Sequence, residues 1–366
     1  MSFSRHATAL SLRAARGRGR GLTPASGLDF ASNDYLGLAG SALMAEAARA
    51  ALARGVPVGA GGSRLLRGNH PEHEALEAEA AAFFGAEAAL LMGGGFQANQ
   101  AIFSALPMRG DLVVHDALIH ASAHEGMRLG RAEVRSFGHN DAGDAARVIA
   151  GWRAAGGAGR VWIAVESVYS MQGDLAPLPA LADLARREDA VLVVDEAHAT
   201  GVFGARGRGL AQGLACPLVT LHTGGKALGV AGGIICGPRV LIQTLLNRAR
   251  VLIYATAPPP LVAALLRAAL RALEATDLVA EAQARLAFAR AQAAPLGIAV
   301  HSQIVPVILG EDRLALARAA QLQARGFDLR AIRPPTVPRG TARLRISITG
   351  NVDADAIRAL FAALAP

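Results

Sequence analysis

Six short runs of mainly apolar residues recur along the first two thirds of the chain, separated by longer segments in which apolar residues follow a helical period. Each run is continuously apolar, whereas a strand with one face in water alternates apolar and polar positions. Continuous runs are typical of a parallel sheet with helices on both faces. They predict strands near residues 88–92, 112–115, 161–166, 191–195, 218–222 and 232–236. The glycines at 232–233, with the turn before them, indicate that the last strand is antiparallel to the one before it.

Helical periodicity marks the segments that would cover this sheet. One helix is predicted to begin at Pro71 and to end at Gly85, with one apolar face formed by Leu76, Ala80, Phe83 and Phe84. A second helix, rich in alanine, leucine and arginine, is predicted from the prolines at 258–260 to about residue 293. The segments between the strands therefore favour an α/β fold with a mostly parallel central sheet.

The C-terminal part of the chain changes character. Strands are predicted near residues 303–309 and 343–348, and the last helix has an apolar face of Ile357, Leu360, Phe361 and Leu364. This pattern predicts a smaller α+β domain. We expect an N-terminal arm (1–36), a large α/β domain (37–272) and a C-terminal α+β domain (273–366).

Composition narrows the class of protein. The chain has 366 residues, of which 52% are hydrophobic, and no apolar run is long enough to cross a bilayer. Its formal net charge is +8, but aromatic residues are only 4%, too few to stack along single-stranded nucleic acid. The positive charge therefore favours anionic small substrates or an acidic protein partner, and we expect neither a nucleic-acid partner nor a membrane.

Two features bear on location. The two cysteines, Cys216 and Cys236, form neither a metal-binding pattern nor a disulfide framework, which indicates a reducing cytosol and no metal site. The first 22 residues are rich in arginine and contain no acidic residue. This pattern fits either an organellar transit peptide or the first helix of a bacterial enzyme. We favour the helix, and with it a cytoplasmic enzyme.

Lys226 is the only lysine among 37 basic residues. Arginine supplies positive charge everywhere else, so a retained lysine suggests a need for an amine that can lose its proton, as in a Schiff base. It could equally be a leftover surface residue. Its surroundings favour the first interpretation, because Lys226 follows the predicted strand 218–222 in a tight turn of small residues.

A second cluster of polar residues follows the predicted strand 191–195. Asp195 ends this strand and His198 lies three residues further on. Ligands of open α/β sheets bind at the carboxyl ends of strands, so Asp195, His198 and Lys226 could contact one pyridine-aldehyde cofactor. Residues 195–198 also spell the DEAH box of helicases. A helicase requires a P-loop lysine, and the residues around Lys226 do not form that motif.

Other polar residues follow predicted strand ends. The glycines at 93–95 precede a helix and could leave backbone N–H groups free for a phosphate, although such turns are common. His120 follows the strand near 112–115, where a histidine can stack on a ring but more often packs or caps a helix. Residues 166–174 follow a third predicted strand, 161–166, and their polar groups converge on the same edge of the sheet.

These motifs occur together in the order seen in the α-oxoamine synthases, which the chain resembles from about residue 28 to its C-terminus. They are 33–38 (NDYLGL), 61–64 (GGSR), 95–100 (GFQANQ), 166–174 (ESVYSMQGD), 195–198 (DEAH) and 223–226 (TGGK). The resemblance implies a pyridoxal 5'-phosphate enzyme with the type I, aspartate-aminotransferase-like fold. Residues 332–345 (IRPPTVPRGTARLR) look like the branch that condenses L-alanine with a pimeloyl thioester.

The resemblance also implies roles for individual residues. Lys226 would form the Schiff base and move the α-proton, Asp195 would pair with the pyridine nitrogen, and His198 would contact the 3-oxygen of the ring. Other contacts to the cofactor would come from Gly95, Phe96, His120, Ser170 and Thr223. The amino-acid carboxylate would be held by Asn33 and Arg345, and the acyl substrate would contact His120, Thr336 and Arg18. Arg18 is chosen over Arg16 and Arg20 in a poorly aligned arm.

Family members place the active site at a dimer interface, so the resemblance implies a homodimer. Residues 253–258 (IYATAP) carry alanines where relatives often have hydroxyl groups, and Thr256 is our choice for the partner-subunit contact to the phosphate. The acyl donor could be pimeloyl-CoA or pimeloyl-acyl carrier protein. The alternatives are a family member that uses glycine or serine, and a class I aldolase that uses Lys226 without a cofactor.

Overall fold

The computed structural model describes residues 3–365. Its strands are β1 (Leu28–Asp29), β2 (Ala88–Met92), β3 (Leu112–Asp116), β4 (Glu133–Phe137), β5 (Val161–Glu166), β6 (Val191–Asp195), β7 (Leu218–Thr223), β8 (Gly233–Gly237), β9 (Ile304–Gly310), β10 (Phe327–Asp328), β11 (Arg330–Ile332) and β12 (Ala342–Ser347).

The helices are numbered in the same way. They are α1 (Ser4–Ala15), α2 (Ala42–Ala53), α3 (Pro71–Phe84), α4 (Gly95–Ala105), α5 (Ala121–Leu129), α6 (Ala142–Ala154), α7 (Leu178–Arg187), α8 (Arg239–Arg248), α9 (Arg250–Ile253), α10 (Pro260–Ala275), α11 (Leu278–Ala293), α12 (Asp312–Ala324) and α13 (Ala354–Leu364).

The described residues divide into two compact units. The larger comprises residues 33–170 and 174–283, and the smaller comprises 3–32, 171–173 and 284–365. The division thus falls inside α11, and the short segment 171–173 belongs to the smaller unit. The domain limits expected from the sequence, at residues 36 and 272, stay predictions.

A seven-stranded sheet forms the centre of the larger unit, with strand order β2-β8-β7-β6-β5-β3-β4. Every neighbouring pair is parallel except the two that involve β8, which is antiparallel to β2 and to β7. The six strands predicted for this region are confirmed, as is the antiparallel direction of the last of them. The mostly parallel α/β fold is therefore confirmed.

One strand of this sheet, β4, was not predicted. It is an edge strand that pairs only with β3, and four of its five residues are exposed or half-buried. Its sequence EVRSF mixes charged and apolar residues, because an edge strand does not need the continuous apolar run of the central strands.

Both faces of the sheet are covered by helices, and successive residues of one strand enter different cores. Val193 of β6 packs in a cluster with Ile102 of α4, whereas Leu192 packs in a cluster with Ile149 of α6. This alternation explains why the central strands are apolar throughout. Each fully buried aliphatic side chain contributes roughly 1.5–3 kcal/mol through removal from water.

The helix predicted from Pro71 to Gly85 is confirmed as α3. Pro71 is its first residue, and Gly85 ends it in the left-handed conformation with φ of 73°. A glycine adopts this conformation without the steric cost that a Cβ would bring.

The prediction of one long helix up to about residue 293 was wrong. The segment forms two helices, α10 and α11, separated at Thr276 and Asp277. The Thr276 hydroxyl donates to the Ala272 carbonyl at 2.8 Å, and Thr276 itself has extended backbone angles. Threonine and aspartate make such local bonds readily and are common where helices begin, so residues 276–277 were a signal that the apolar pattern concealed.

The smaller unit contains two small sheets. Strands β11, β12 and β9 form an antiparallel sheet, with β12 in the centre, and β1 pairs in parallel with β10. Helices α12 and α13 belong to the same unit, and α13 is capped by the preceding Asp353, whose carboxylate accepts the Ala356 N–H. The α+β character and the final helix are as predicted.

The arginine-rich N-terminal segment forms helix α1, and none of its residues is buried. Within residues 3–365, no helix combines the length and the apolar composition that a membrane span requires.

Candidate active site at the carboxyl edge of the large sheet

The carboxyl ends of six strands lie at one edge of the large sheet. Strands β3, β4, β5, β6 and β7 run in parallel, and β2 has the same direction because both it and β7 are antiparallel to β8. Ligands of open α/β sheets bind at such an edge. The polar residues that end these strands, and those in the turns that follow, form the candidate site.

Lys226 lies in the turn after β7. The turn is tight because Gly224 donates its N–H to the Gly232 carbonyl, and a Cβ on Gly224 would lie 2.1 Å from the Ala231 carbonyl oxygen. The lysine Nζ is 2.7 Å from Nε2 of His198, which follows β6. Lys226 and His198, which the sequence places at one cofactor, therefore lie within hydrogen-bond distance of each other.

A chain of hydrogen bonds continues from His198. Its Nδ1 is 2.6 Å from the Tyr35 hydroxyl, and this hydroxyl donates to Oδ1 of Asn33 at 3.0 Å. The single hydroxyl proton is used in the bond to Asn33, so Tyr35 must accept from Nδ1–H of the imidazole. In the neutral ring Nε2 is then an acceptor, to which an N–H of the Lys226 amine can donate. The network thus fixes the tautomer of His198.

Asp195, the last residue of β6, accepts two hydrogen bonds. Oδ2 accepts from the Asn99 amide at 2.7 Å, and Oδ1 accepts from the Ala197 N–H at 2.9 Å. Its side chain is 8% exposed. Hydrogen bonds from neutral donors stabilise a carboxylate without neutralising it, so Asp195 presents a negative charge to the open side of the site.

Asn99 connects Asp195 to His120. The same amide nitrogen donates to the Ser122 hydroxyl at 2.9 Å, and this hydroxyl is 2.7 Å from Nδ1 of His120. Nδ1 also accepts the Ser122 N–H at 3.2 Å as the cap of α5. A ring nitrogen that accepts a backbone N–H carries no proton, so Nε2 of His120 is a donor.

His120 reaches the surface on its open side, yet the protein around it lowers its pKa below the usual value. Burial of the ring is the largest cause; the Asp195 carboxylate opposes this change and Lys226 adds to it. His120 is therefore neutral near pH 7, with a free N–H at Nε2.

The start of α4 has the features of an anion site. No side chain caps this end of the helix within residues 3–365, so the backbone N–H groups of its first turn are not used by a cap. Gly95 begins the helix, and a Cβ placed on it would lie 3.4 Å from the Thr223 hydroxyl oxygen. Gly95, Phe96 and Thr223 thus lie around one helix N-terminus, where the helix dipole favours an anion.

Ser170 lies in the loop after β5 and is 8% exposed. Its N–H donates to Oε2 of Glu166 at 3.1 Å. Glu166 is fully buried, and its pKa is raised to about 8, first by burial and then by the negative charge of Asp195. Sequence reasoning quoted Glu166 within a motif but gave it no role.

A network of charged residues holds the loop after β5, which contains Ser170. His139 lies between two carboxylates, with Nδ1 2.9 Å from Asp116 and Nε2 2.8 Å from Asp174. Hydrogen bonds and charge attraction from these carboxylates outweigh the effect of burial and raise the His139 pKa to about 9. Asp116 ends β3 and Asp174 ends the loop of Ser170, so a protonated His139 joins the two.

Three predicted residues belong to the smaller unit. Arg18 and Thr336 are brought together there in a pocket of about 130 Å³, whose other polar walls are Arg13, Arg20 and Arg333. Arg18 also forms an ion pair with Asp312 at 2.9 Å. Arg345, on β12, is 8% exposed and donates to the Ser347 hydroxyl at 2.9 Å.

Thr256 lies in a separate pocket of the larger unit, and its predicted contact to the partner subunit's phosphate stays a prediction. It lines a pocket of about 250 Å³ together with Gly93, Gln97 and Arg64. It therefore lies beside the glycine turn that precedes α4, and no bond to Lys226 or His198 is recorded for it among the described residues.

Besides Glu166, sequence reasoning assigned no role to Asn99, Ser122, Tyr35 and His139. Asn99 and Tyr35 lie inside motifs that were recognised, at 95–100 and 33–38, so the motifs themselves were the available signal. Nothing in the sequence pointed to Ser122 or His139, because a single sequence does not show hydrogen bonds between distant segments.

Comparisons with known proteins agree with this geometry. Residues 25–364 match the family "Aminotransferase class I and II". An 8-amino-7-oxononanoate synthase from Anaeromyxobacter dehalogenans (strain 2CP-1 / ATCC BAA-258) is 45% identical over 349 residues, which cover 92% of this chain and 85% of that protein. The chain therefore belongs to the aminotransferase class I and II family, and within it to the group of the 8-amino-7-oxononanoate synthases.

Solved structures support the same assignment of the fold. A serine palmitoyltransferase variant from S. paucimobilis with a bound PLP–myriocin aldimine has a TM-score of 0.86, is 27% identical, and is matched over 99% of this chain and 96% of that one. The 8-amino-7-oxononanoate synthase of Francisella tularensis has a TM-score of 0.76 and 27% identity, over 93% and 97% of the two chains. The type I fold and the family expected from the motifs are confirmed.

Proposed function

We propose that the chain is a pyridoxal-phosphate-dependent acyltransferase that condenses L-alanine with a pimeloyl thioester. The products are 8-amino-7-oxononanoate, carbon dioxide and the free thiol carrier, as in the 8-amino-7-oxononanoate synthase step of biotin biosynthesis. The observation that carries the proposal is the only lysine of the chain, held 2.7 Å from His198 at the strand edge where Asp195 ends its strand. The 45% identity to a synthase of this name supports the choice of reaction.

The residues present fit pyridoxal phosphate. The edge offers an amine at Lys226, a carboxylate at Asp195 for a pyridinium nitrogen, and an uncapped helix N-terminus at Gly95 for a phosphate. When bound, the cofactor supplies an aldehyde for amine exchange and a protonated ring that withdraws electrons from the α-carbon of the amino acid. The donor set therefore matches three separate parts of one ligand.

The chain's own residues would move the α-proton. His198 lies 2.7 Å from the Lys226 Nζ, and the Tyr35–Asn33 pair behind it holds the imidazole in place. Lys226 is thereby held at the sheet edge, where its neutral amine would take the α-proton of alanine. His198 is proposed to contact the 3-oxygen of the ring, and Ser170 and Thr223 to line the ring and phosphate positions.

His120 is proposed to bind the carbonyl of the incoming thioester. Its neutral ring has Nδ1 occupied by Ser122, so Nε2–H is the group that can donate to an oxygen on which negative charge develops. A neutral histidine suits this role because it donates without adding a full charge beside the Lys226 amine.

Substrate specificity is proposed to depend on two groups of residues. Asn33 and Arg345 would hold the α-carboxylate of alanine, for which the planar guanidinium is suited to a two-bond grip. Arg18 and Thr336 would contact the acyl substrate, and their shared arginine-lined pocket supports an anionic group there. The carrier of the thioester could be coenzyme A or acyl carrier protein, since both are anionic.

We also propose a homodimer in the cytoplasm, with Thr256 reaching the phosphate site of the partner subunit. Large apolar side chains at Val58, Leu65, Leu66 and Tyr254 are exposed by half or more, and a second copy of the chain would cover them. A native mass of twice 37.6 kDa is expected. Both cysteines are free thiols, which suits a reducing compartment.

A matrix assay tests the reaction. Purified protein loaded with pyridoxal phosphate is offered L-alanine, glycine or L-serine together with pimeloyl-CoA, pimeloyl-acyl carrier protein or palmitoyl-CoA, and products are identified by mass spectrometry. We expect 8-amino-7-oxononanoate from L-alanine with a pimeloyl donor. A clear preference for glycine, serine or the palmitoyl donor would replace this proposal by another synthase of the family.

A further inference from the structure

Glu166 is a buried carboxyl group that the proposed reaction does not use. It is the last residue of β5 and lies in register with Asp195, the last residue of the neighbouring parallel strand β6. Residues in register on parallel strands project to the same face of the sheet. Two acidic side chains therefore lie next to each other at the carboxyl edge, and Glu166 is only 2% exposed.

The hydrogen bonds of the two carboxyl groups differ. Asp195 accepts from Asn99 and from the Ala197 N–H, one donor on each oxygen. Glu166 accepts the Ser170 N–H on Oε2, whereas its buried Oε1 has no hydrogen-bond partner within residues 3–365. An ionised carboxylate with one buried oxygen unbonded is costly, and a protonated acid needs no donor on the oxygen that carries the proton.

The charges around Glu166 also disfavour its ionised form. Asp195 lies on β6 on one side, and Asp116 ends β3 on the other, while the Tyr169 phenol lies in the loop after β5. The positive charge of Lys226 acts in the opposite direction, but its effect on the Glu166 pKa is smaller than that of Asp195. Two neighbouring buried carboxyl groups do not both ionise when one of them holds the donors.

We propose that Glu166 is a positioning residue that remains protonated at neutral pH, so that Asp195 is the single anion of the pair while Oε2 of Glu166 holds the Ser170 loop. A second negative charge on this face would compete with Asp195 for the ring nitrogen and for Lys226. The consequence for the ring rests on the proposed function, whereas the protonation state of Glu166 does not.

The Glu166→Gln variant tests this proposal because an amide reproduces a protonated acid: one oxygen accepts the Ser170 N–H and the NH₂ group takes the place of the O–H. A buried acid whose folded-state pKa is about 8 makes the wild-type protein less stable as pH rises from the unfolded value of 4.5 through 8. The amide cannot ionise, so the cofactor-free variant should gain in unfolding temperature relative to wild type between about pH 5 and pH 9.

Glu46→Gln is the matched control. It makes the same chemical change at a side chain that is 73% exposed, and its unfolding temperature should follow that of wild type at every pH. With cofactor bound, Glu166→Gln should keep kcat within about threefold of wild type, whereas loss of a general base typically costs about 100- to 10,000-fold. A kcat loss of that size at unchanged cofactor absorbance would show that the ionised form of Glu166 is used and would overturn the proposal.

A measurement on the wild-type protein covers the case in which the variant does not fold. Infrared spectra of cofactor-free protein should contain the carbonyl band of buried protonated carboxylic acids near pH 7. Burial raises the pKa of Glu196 to about 7, so its part of the band should be lost first, and the part that persists to about pH 8 and disappears above about pH 9 belongs to Glu166. Absence of this band near pH 7 would mean that Glu166 is ionised. Failure of wild-type protein to bind pyridoxal phosphate would instead count against the proposed function, and both measurements on cofactor-free protein would still decide the protonation state.

Discussion

Replacing His139 by glutamine should destabilise the larger unit in a pH-dependent way. His139 is 23% exposed and lies between Asp116, whose side chain is fully buried, and Asp174. A tenfold change in proton affinity corresponds to about 1.36 kcal/mol, so raising this pKa from 6.5 to about 9 corresponds to about 3 kcal/mol. Solvent screening on the open side of the ring makes this an upper value.

The way in which this loss of stability depends on pH follows from the direction of the pKa change. Because the folded-state pKa of His139 is raised, its contribution is complete below the unfolded value of 6.5 and is lost as pH rises through about 9. Asp116 has a lowered pKa, because bonds and charge attraction from His139 and its backbone partners outweigh burial, so its contribution is lost only as pH falls through the acid range. The largest cost of His139→Gln is therefore expected near pH 6, and almost none near pH 10.

Tryptophan fluorescence during urea unfolding is the assay. The only tryptophans of the chain, Trp152 and Trp162, lie in the larger unit, so their emission follows the part of the protein that contains His139. His301→Gln changes an exposed histidine in the smaller unit and serves as the control. An equal loss of stability near pH 6 and near pH 10 would refute the charged network and leave only a packing role for the ring.

Three further predictions concern the site. Asp195→Asn should retain the fold but slow exchange of the alanine α-proton by about 100-fold or more, as measured by NMR in D₂O, because the ring nitrogen loses its anionic partner; near-normal exchange would remove Asp195 from this role. Asn99→Ala should lower kcat by about 10- to 100-fold, since it removes a donor to a charged group that is worth about 1.5–3 kcal/mol, and an unchanged kcat would make the Asn99 bond incidental. Arg345→Lys should raise the KM for alanine by about 10- to 100-fold at unchanged cofactor occupancy, because an ammonium cannot form two parallel bonds to a carboxylate; an unchanged KM would move the carboxylate site elsewhere.

The sequence was sufficient to predict the elements whose apolar pattern is set by burial. The central strands were predicted within one or two residues because each is buried on both faces and must be apolar throughout. Edge strand β4 was missed because half of its surface meets water, and the break at Thr276 was missed because the apolar period continues on both sides of it. Local hydrogen bonds at Thr276 end the first of the two helices, and hydrophobic periodicity does not reveal such bonds.

In the candidate site, too, part of the structure was predicted from the sequence and part was missed. Lys226, Asp195 and His198 could be chosen from the sequence because each follows a predicted strand, and parallel strands end at one edge. The hydrogen-bond partners of His198 and Asp195 could not: Tyr35 is 163 residues from His198, and Asn99 is 96 residues from Asp195. Such contacts depend on the packing of helices and loops against the sheet, which a single sequence does not determine.

The most direct test of the whole account is the identity of the residue that binds the cofactor. Protein loaded with pyridoxal phosphate is reduced with borohydride, digested and mapped by mass spectrometry, alongside Lys226→Arg protein treated in the same way. We expect the reduced cofactor on Lys226 alone, and neither label nor turnover in Lys226→Arg, because arginine keeps the charge but cannot supply a neutral amine. A label on any other group, or an active Lys226→Arg variant, would contradict the central claim.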